Sequence, residues 1–186
     1  MVLKSLMIKI KPSLNVRFVP DKWNSGENLR LSNCYCLAMN AFDMAAVNPG
    51  SLNAAYDNKA DNIKLLSKEG LSELMEQDGW IAHEDNDIDP ARYHMAMVFG
   101  YRRMGLPYND CHFFFVTRDK TVCEKQGIGL TAQQPRLENG AKIKIENVKD
   151  YFNRERAESI MPPVYGGLWR MPENGLTAHP RHLLIH

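Results

Sequence analysis

The sequence predicts an α+β domain, with a helix-rich N-terminal half packed on a mostly antiparallel sheet. Three observations carry that expectation. The helix-favouring stretches, rich in Ala, Leu, Met, Lys and Glu, fall before residue 80. Two strongly apolar strand candidates, YHMAMVFGY and CHFFFVT, follow close together after residue 92. Only short turns separate the later candidates, which suits hairpins rather than the long crossovers that parallel strands need.

Taken in order, residues 6–19 alternate around Pro12 and predict one or two short strands. Residues 20–33 are polar and turn-rich. Residues 34–46, CYCLAMNAFDMAA, contain no Gly or Pro and predict a buried helix, with Ser32 or Asn33 as its N-cap and Asn48-Pro49-Gly50 as its stop. A second helix is expected over residues 61–77, where Ile63, Leu66, Leu71, Leu74 and Met75 fall near one face. The acidic run EDNDIDP reads as a surface loop. Strands are expected over 93–101 and 111–117. Arg118-Asp119-Lys120 reads as a hairpin turn, with residues 121–125 returning antiparallel. Residues 142–148, KIKIENV, alternate like an edge strand. The Pro/Gly-rich end, residues 162–186, is expected to wrap the surface of a single domain spanning 1–186.

Composition excludes several classes of function. Lys and Arg number 23 against 22 Asp and Glu, a net charge of +1, so the basic excess of a nucleic-acid-binding domain is missing. Four cysteines in 186 residues are too few for a disulfide-stapled scaffold. Lys4, Lys9 and Lys11 interrupt the apolar residues at the start, where a secretory signal needs roughly seven to fifteen unbroken ones. No run approaches the roughly twenty apolar residues of a membrane span. The expectation is a soluble cytoplasmic protein with no membrane span and no nucleic-acid partner; export without a recognisable signal peptide stays open.

Cys34 is the first residue to suggest chemistry. It falls on the first turn of its helix, where partial positive charge favours a thiolate and free N–H groups can receive an oxyanion. A small buried thiol beside Ala38 explains the same placement. His112, inside an apolar strand, is a candidate general base, and His94 on the preceding strand has the same character. The pairs needed for zinc are missing, because Cys34 and Cys36 are separated by one residue rather than two to four. Asp85, Asp87 and Asp89 lack the glycine and glutamate of a calcium loop. No metal and no cofactor is expected.

These residues resemble a motif series. Asn33-Cys34-Tyr35-Cys36-Leu37-Ala38 is similar to the N-C-Y-x-Y-A motif of a group of bacterial, mostly uncharacterised, papain-like proteins. Pro49-Gly50 stands where that group has Pro-Gly after the helix. Asp110-Cys111-His112-Phe113-Phe114 resembles its D-Y-H-F-Y segment, and Val122-Cys123-Glu124-Lys125-Gln126-Gly127 its W-S-H-K-P-G segment. The resemblance runs over about residues 30–130. Leu37 replaces the second tyrosine of the first motif, and Glu124 replaces the histidine of the third.

The resemblance implies a papain-like cysteine hydrolase or amidase acting on a protein or peptide-like substrate, and a bacterial effector or toxin role would suit it. Cys34 would attack a carbonyl carbon and His112 would carry the proton. Glu124 would orient the imidazole, with Asp110 or Asn109 as rivals. Asn28 or Asn33 would donate to the oxyanion. The alternative, which the degenerate third motif favours, is a non-catalytic binding or structural module on the same scaffold.

Overall fold

The computed structural model describes residues 7–42, 44–53, 60–102, 104–105, 108–156 and 159–182. It is an α+β structure, and every strand pairing among the described residues is antiparallel.

Short elements come first. Strand β1 (Ile8–Ile10) is followed by helices α1 (Pro20–Trp23), α2 (Gly26–Leu31), α3 (Cys34–Ala38) and α4 (Ala60–Lys64). These four helices have four to six residues each, and only α5 (Lys68–Gln77) reaches ten. The N-terminal half is therefore not helix-rich. The expected helix over 34–46 stops at Ala38, and Asn40 takes a left-handed φ of 49° just beyond it. The helix expected over 61–77 is two helices. Ser67 breaks it, because its side chain accepts the Gly70 N–H and caps α5 anew. Ile63, expected on the buried face, is 68% exposed.

The sheet holds strands β2 (Ile81–His83), β3 (Met95–Arg102), β4 (Asn109–Val116), β5 (Val122–Lys125), β6 (Ala132–Gln133) and β7 (Val164–Arg170), in the order β2-β7-β3-β4-β5-β6. The β4–β5 hairpin has the register that its turn predicts: Phe114 faces Glu124 and Val116 faces Val122. Strand β8 (Leu176–Ala178) pairs with β1 in a separate two-stranded sheet.

Two expectations fail here. The segment from residue 162 is no surface wrap, because β7 lies inside the sheet between β2 and β3. Residues 142–148 form no continuous edge strand; Lys142 and Lys144 make only single antiparallel bridges, to Arg136 and Thr121. They lead into a 3-10 turn (Ile145–Asn147) and helix α6 (Val148–Glu155), whose Tyr151 and Phe152 are buried.

The central strands are covered on both faces, so they are near-continuously apolar rather than alternating. One face carries Ala96, Val98, Phe113, Phe115 and Cys123 under α3 and α5. The other carries Met97, Phe99, Phe114 and Val122 under α6 and its preceding turn. This division determines where each candidate site residue points.

Candidate functional site

Cys34 opens α3 on the first face. The Asn33 carboxamide oxygen accepts the Cys36 N–H at 3.1 Å, and its amide donates to the Val47 carbonyl at 2.8 Å. Asn33 is thus the helix cap, and its amide is already engaged. Tyr35 stacks on Phe113 with ring centroids 4.5 Å apart, which seats α3 on β4. Cys34 is buried, 8% exposed as a residue, and its thiol points to the Cys111 carbonyl at 3.8 Å. Burial, helped by the Asp110 charge, pushes its pKa up to about 12. A helix of five residues supplies too little dipole to reverse that.

His112 lies on the other face. Side chains alternate along a strand, so when Cys111 and Phe113 face α3, His112 faces α6. Its ring lies parallel to Phe152, with centroids 5.5 Å apart at 10°, and meets Phe114 edge-on. One ring nitrogen, Nε2, is 2.8 Å from Glu124 Oε2. The other carboxylate oxygen, Oε1, accepts from Tyr151 at 3.0 Å and from Gln133 at 3.1 Å. Burial pushes the Glu124 carboxyl up. The bonds and charge of His112, with those from Gln133 and Tyr151, outweigh it and hold the group below the ordinary carboxylate range. Tyr151 is raised in turn, by burial first and by the Glu124 charge second.

The structure therefore brings His112 and Glu124 together and sets Cys34 apart from both, with the sheet between them. The other candidates are spent locally. Asp110 accepts from the Tyr101 hydroxyl at 2.9 Å and from the Cys111 N–H at 2.8 Å, so it does not orient His112. Asn109 exchanges hydrogen bonds with Asn62. The Asn28 amide donates to the Lys22 carbonyl at 3.2 Å.

His94 shares the face of α3 but meets the opposite end of that helix. Its Nε2 is 2.7 Å from the Ala38 carbonyl, and its Nδ1 accepts the Ser13 N–H at 2.9 Å. Both nitrogens are engaged, which defines a neutral ring protonated at Nε2. Burial lowers its pKa to about 4, and the bond to Ala38 only partly opposes this.

Three features near these residues had weak or no signals in the sequence. Asp78, 2% exposed, accepts from the Tyr35 hydroxyl at 2.7 Å, from Gly50 N–H at 2.6 Å and from Leu52 N–H at 2.9 Å. Trp80 donates to the Tyr35 hydroxyl at 2.9 Å. This chain ties α3 to the end of α5; an Asp before a helix-ending Gly was its only trace. Lys125, fully buried on the Cys34 side, donates to the Leu29 and Leu130 carbonyls. Burial lowers its pKa. Tyr151 and Phe152 follow the strand-like alternation of residues 142–148, which gave no sign of the helix α6 that carries them.

A groove of about 580 Å³ runs beside β7, lined among others by Lys68, Ser72, His83, Asp85, Tyr165 and Trp169. None of Cys34, His112 and Glu124 lines it. Among the described residues, no three His, Cys, Asp or Glu side chains gather as a metal site, and no helix is long and apolar enough to cross a membrane. Comparison with known protein families, with curated proteins and with solved structures found no match to this chain.

Proposed function

We propose that this chain is a non-catalytic binding module on a papain-like scaffold, in which Cys34 is retained as a packing group. The observation that carries this reading is the position of the Cys34 thiol, which is buried, held protonated and separated by the sheet from the His112–Glu124 pair. A thiol with a pKa near 12 is about one part in 10⁵ thiolate at pH 7, against a few per cent for an ordinary cysteine. The imidazole that would take its proton faces another layer. The His112–Glu124 pair then serves the fold, clamping α6 to β4 and β5 through Tyr151 and Phe152.

The test is brief alkylation with iodoacetamide at neutral pH, read by mass spectrometry. Cys34 is expected to stay unmodified while the unfolded chain labels at all four cysteines. Selective labelling of Cys34 in the folded protein would overturn the reading.

A cysteine hydrolase or amidase is the second reading, and one observation favours it: His112 and Glu124 form the 2.8 Å contact that a base and its orienting carboxylate require. Under it, Cys34→Ala abolishes peptide or amide hydrolysis. Activity that survives Cys34→Ala would remove the thiol from the mechanism.

A further inference from the structure

The cluster around α6 contains a cation that the His112–Glu124 network does not use. Arg156 caps the C-terminal end of α6. Its guanidinium carbon lies 5.1 Å from the centroid of Tyr101 and 5.4 Å from that of Phe152. The same Phe152 carries the His112 ring. Arg156 is half-buried, and its Nε is fully buried without a hydrogen-bond partner. No ion pair or hydrogen bond forms at its guanidinium among the described residues.

Among the described residues, the carboxylates near this cluster are already committed. Asp110 is bonded to Tyr101 and to the Cys111 N–H. Glu124 is bonded to His112, Gln133 and Tyr151. Glu155, next along the chain, is exposed and makes no ion pair with Arg156. By contrast, Lys149, held over the Tyr165 ring at 3.8 Å, has the Asp85 carboxylate at 2.8 Å. Arg92 also lies over a ring, that of Tyr93, but it is an exposed side chain.

Two aromatic contacts fix the guanidinium without using any of its N–H donors. Those five donors lie in one plane and match a planar, two-oxygen acceptor approaching edge-on. A buried N–H left without a partner is a cost, and because Nε has no exposed surface, an acceptor relieves it only as the side chains over that edge part.

We propose that Arg156 is the anchor of an oxyanion-binding site, which takes the carboxylate or phosphate group of a ligand on the guanidinium edge beside Phe152. The site does not depend on the state of Cys34, because an oxyanion can belong to a bound ligand or to a substrate.

The test uses the full chain labelled with ¹⁵N and follows the Arg156 Nε–H resonance. The probes are inorganic phosphate, a short peptide with a free C-terminal carboxylate, and the same peptide as its C-terminal amide, with sodium chloride matching ionic strength throughout. A saturable shift with phosphate or with the free-acid peptide, absent with the amide and with chloride, is expected. Which of the two probes acts distinguishes a phosphoryl ligand from a carboxylate. Arg156→Lys, which keeps the charge and loses the fork, should weaken binding about tenfold by isothermal titration, and Arg156→Gln should abolish it. A resonance that does not move with either anion, or moves equally with chloride, would overturn the proposal. The wild-type titration decides this even if Arg156→Gln fails to fold.

Discussion

His94 is neutral because both of its nitrogens are used inside the core, and this makes stability pH-dependent. Its folded pKa, about 4, lies below the 6.5 of the free side chain. The unfolded chain therefore takes up the proton first as pH falls. The contribution is full above about 6.5 and drains as pH falls toward 4, by about 3 kcal/mol in all. Asp78 works against it. Burial raises its pKa to about 6, so its proton favours the folded state, and its contribution is full below about 4 and lost as pH rises through 6. Denaturant unfolding at pH 7, 5.5 and 4.5 should show His94→Gln less stable at pH 7 but with a flatter acid limb than wild type. Parallel pH curves would refute this origin. Glu124 satisfies three donors in a buried site. Glu124→Ala strands all three, and a loss of about 3–5 kcal/mol is expected, with Glu124→Gln losing less. Equal losses for the two would show that charge, rather than donor satisfaction, sets the cost.

At the scale of elements, the close approach of the α4–α5 connection to β3 rests on one absent side chain. A Cβ at Gly100 would sit 1.6 Å from the Leu65 carbonyl oxygen, so backbone would have to move. Gly100→Ala should lower stability by several kcal/mol, and the thermal midpoint should fall by more than 10 °C. A change of only a degree or two would mean that the connection yields freely. The β4–β5 hairpin is held differently. The Thr117 N–H donates to the Thr121 carbonyl at 2.9 Å, and Asp119 Oδ1 accepts from the Thr117 and Thr121 hydroxyls at 2.6 and 2.7 Å. Lys120 takes the left-handed conformation, with φ of 60°. These local bonds pin the register that puts Glu124 on the face of His112.

Over the whole molecule, the order β2-β7-β3 means that the C-terminal segment completes the sheet begun by the middle of the chain. Leu168 and Trp169 of β7 enter opposite faces of the core. A chain ending at residue 161 is expected to lose cooperative unfolding, because β3 would lose its β7 partner and both cores a large side chain. A sharp thermal transition within 5 °C of wild type would return the segment to the status of a surface tail.

The sequence by itself determined what local chemistry decides. The pair Ser32 and Asn33 contains the cap of α3, though the end of that helix at Ala38 was not legible, and the apolar runs around Val98 and Phe114 become β3 and β4. The symmetric Thr117–Thr121 turn sets the hairpin register. Tertiary structure decided the rest. Residues 142–148 alternate as a strand would, yet their neighbours fold as α6 because Tyr151 and Phe152 find His112 and Phe114 to cover. A Pro/Gly-rich end became β7 because Gly166 fits where a Cβ would meet Leu71 and Val98 within 3 Å. The site turns on the same distinction. A period of two states that Cys111 and His112 point to opposite faces of β4, but it does not state which face receives α3 and which receives α6. Packing of Tyr35 on Phe113 and of Phe152 on His112 settles that choice, and it places the thiol and the imidazole on opposite sides of one sheet.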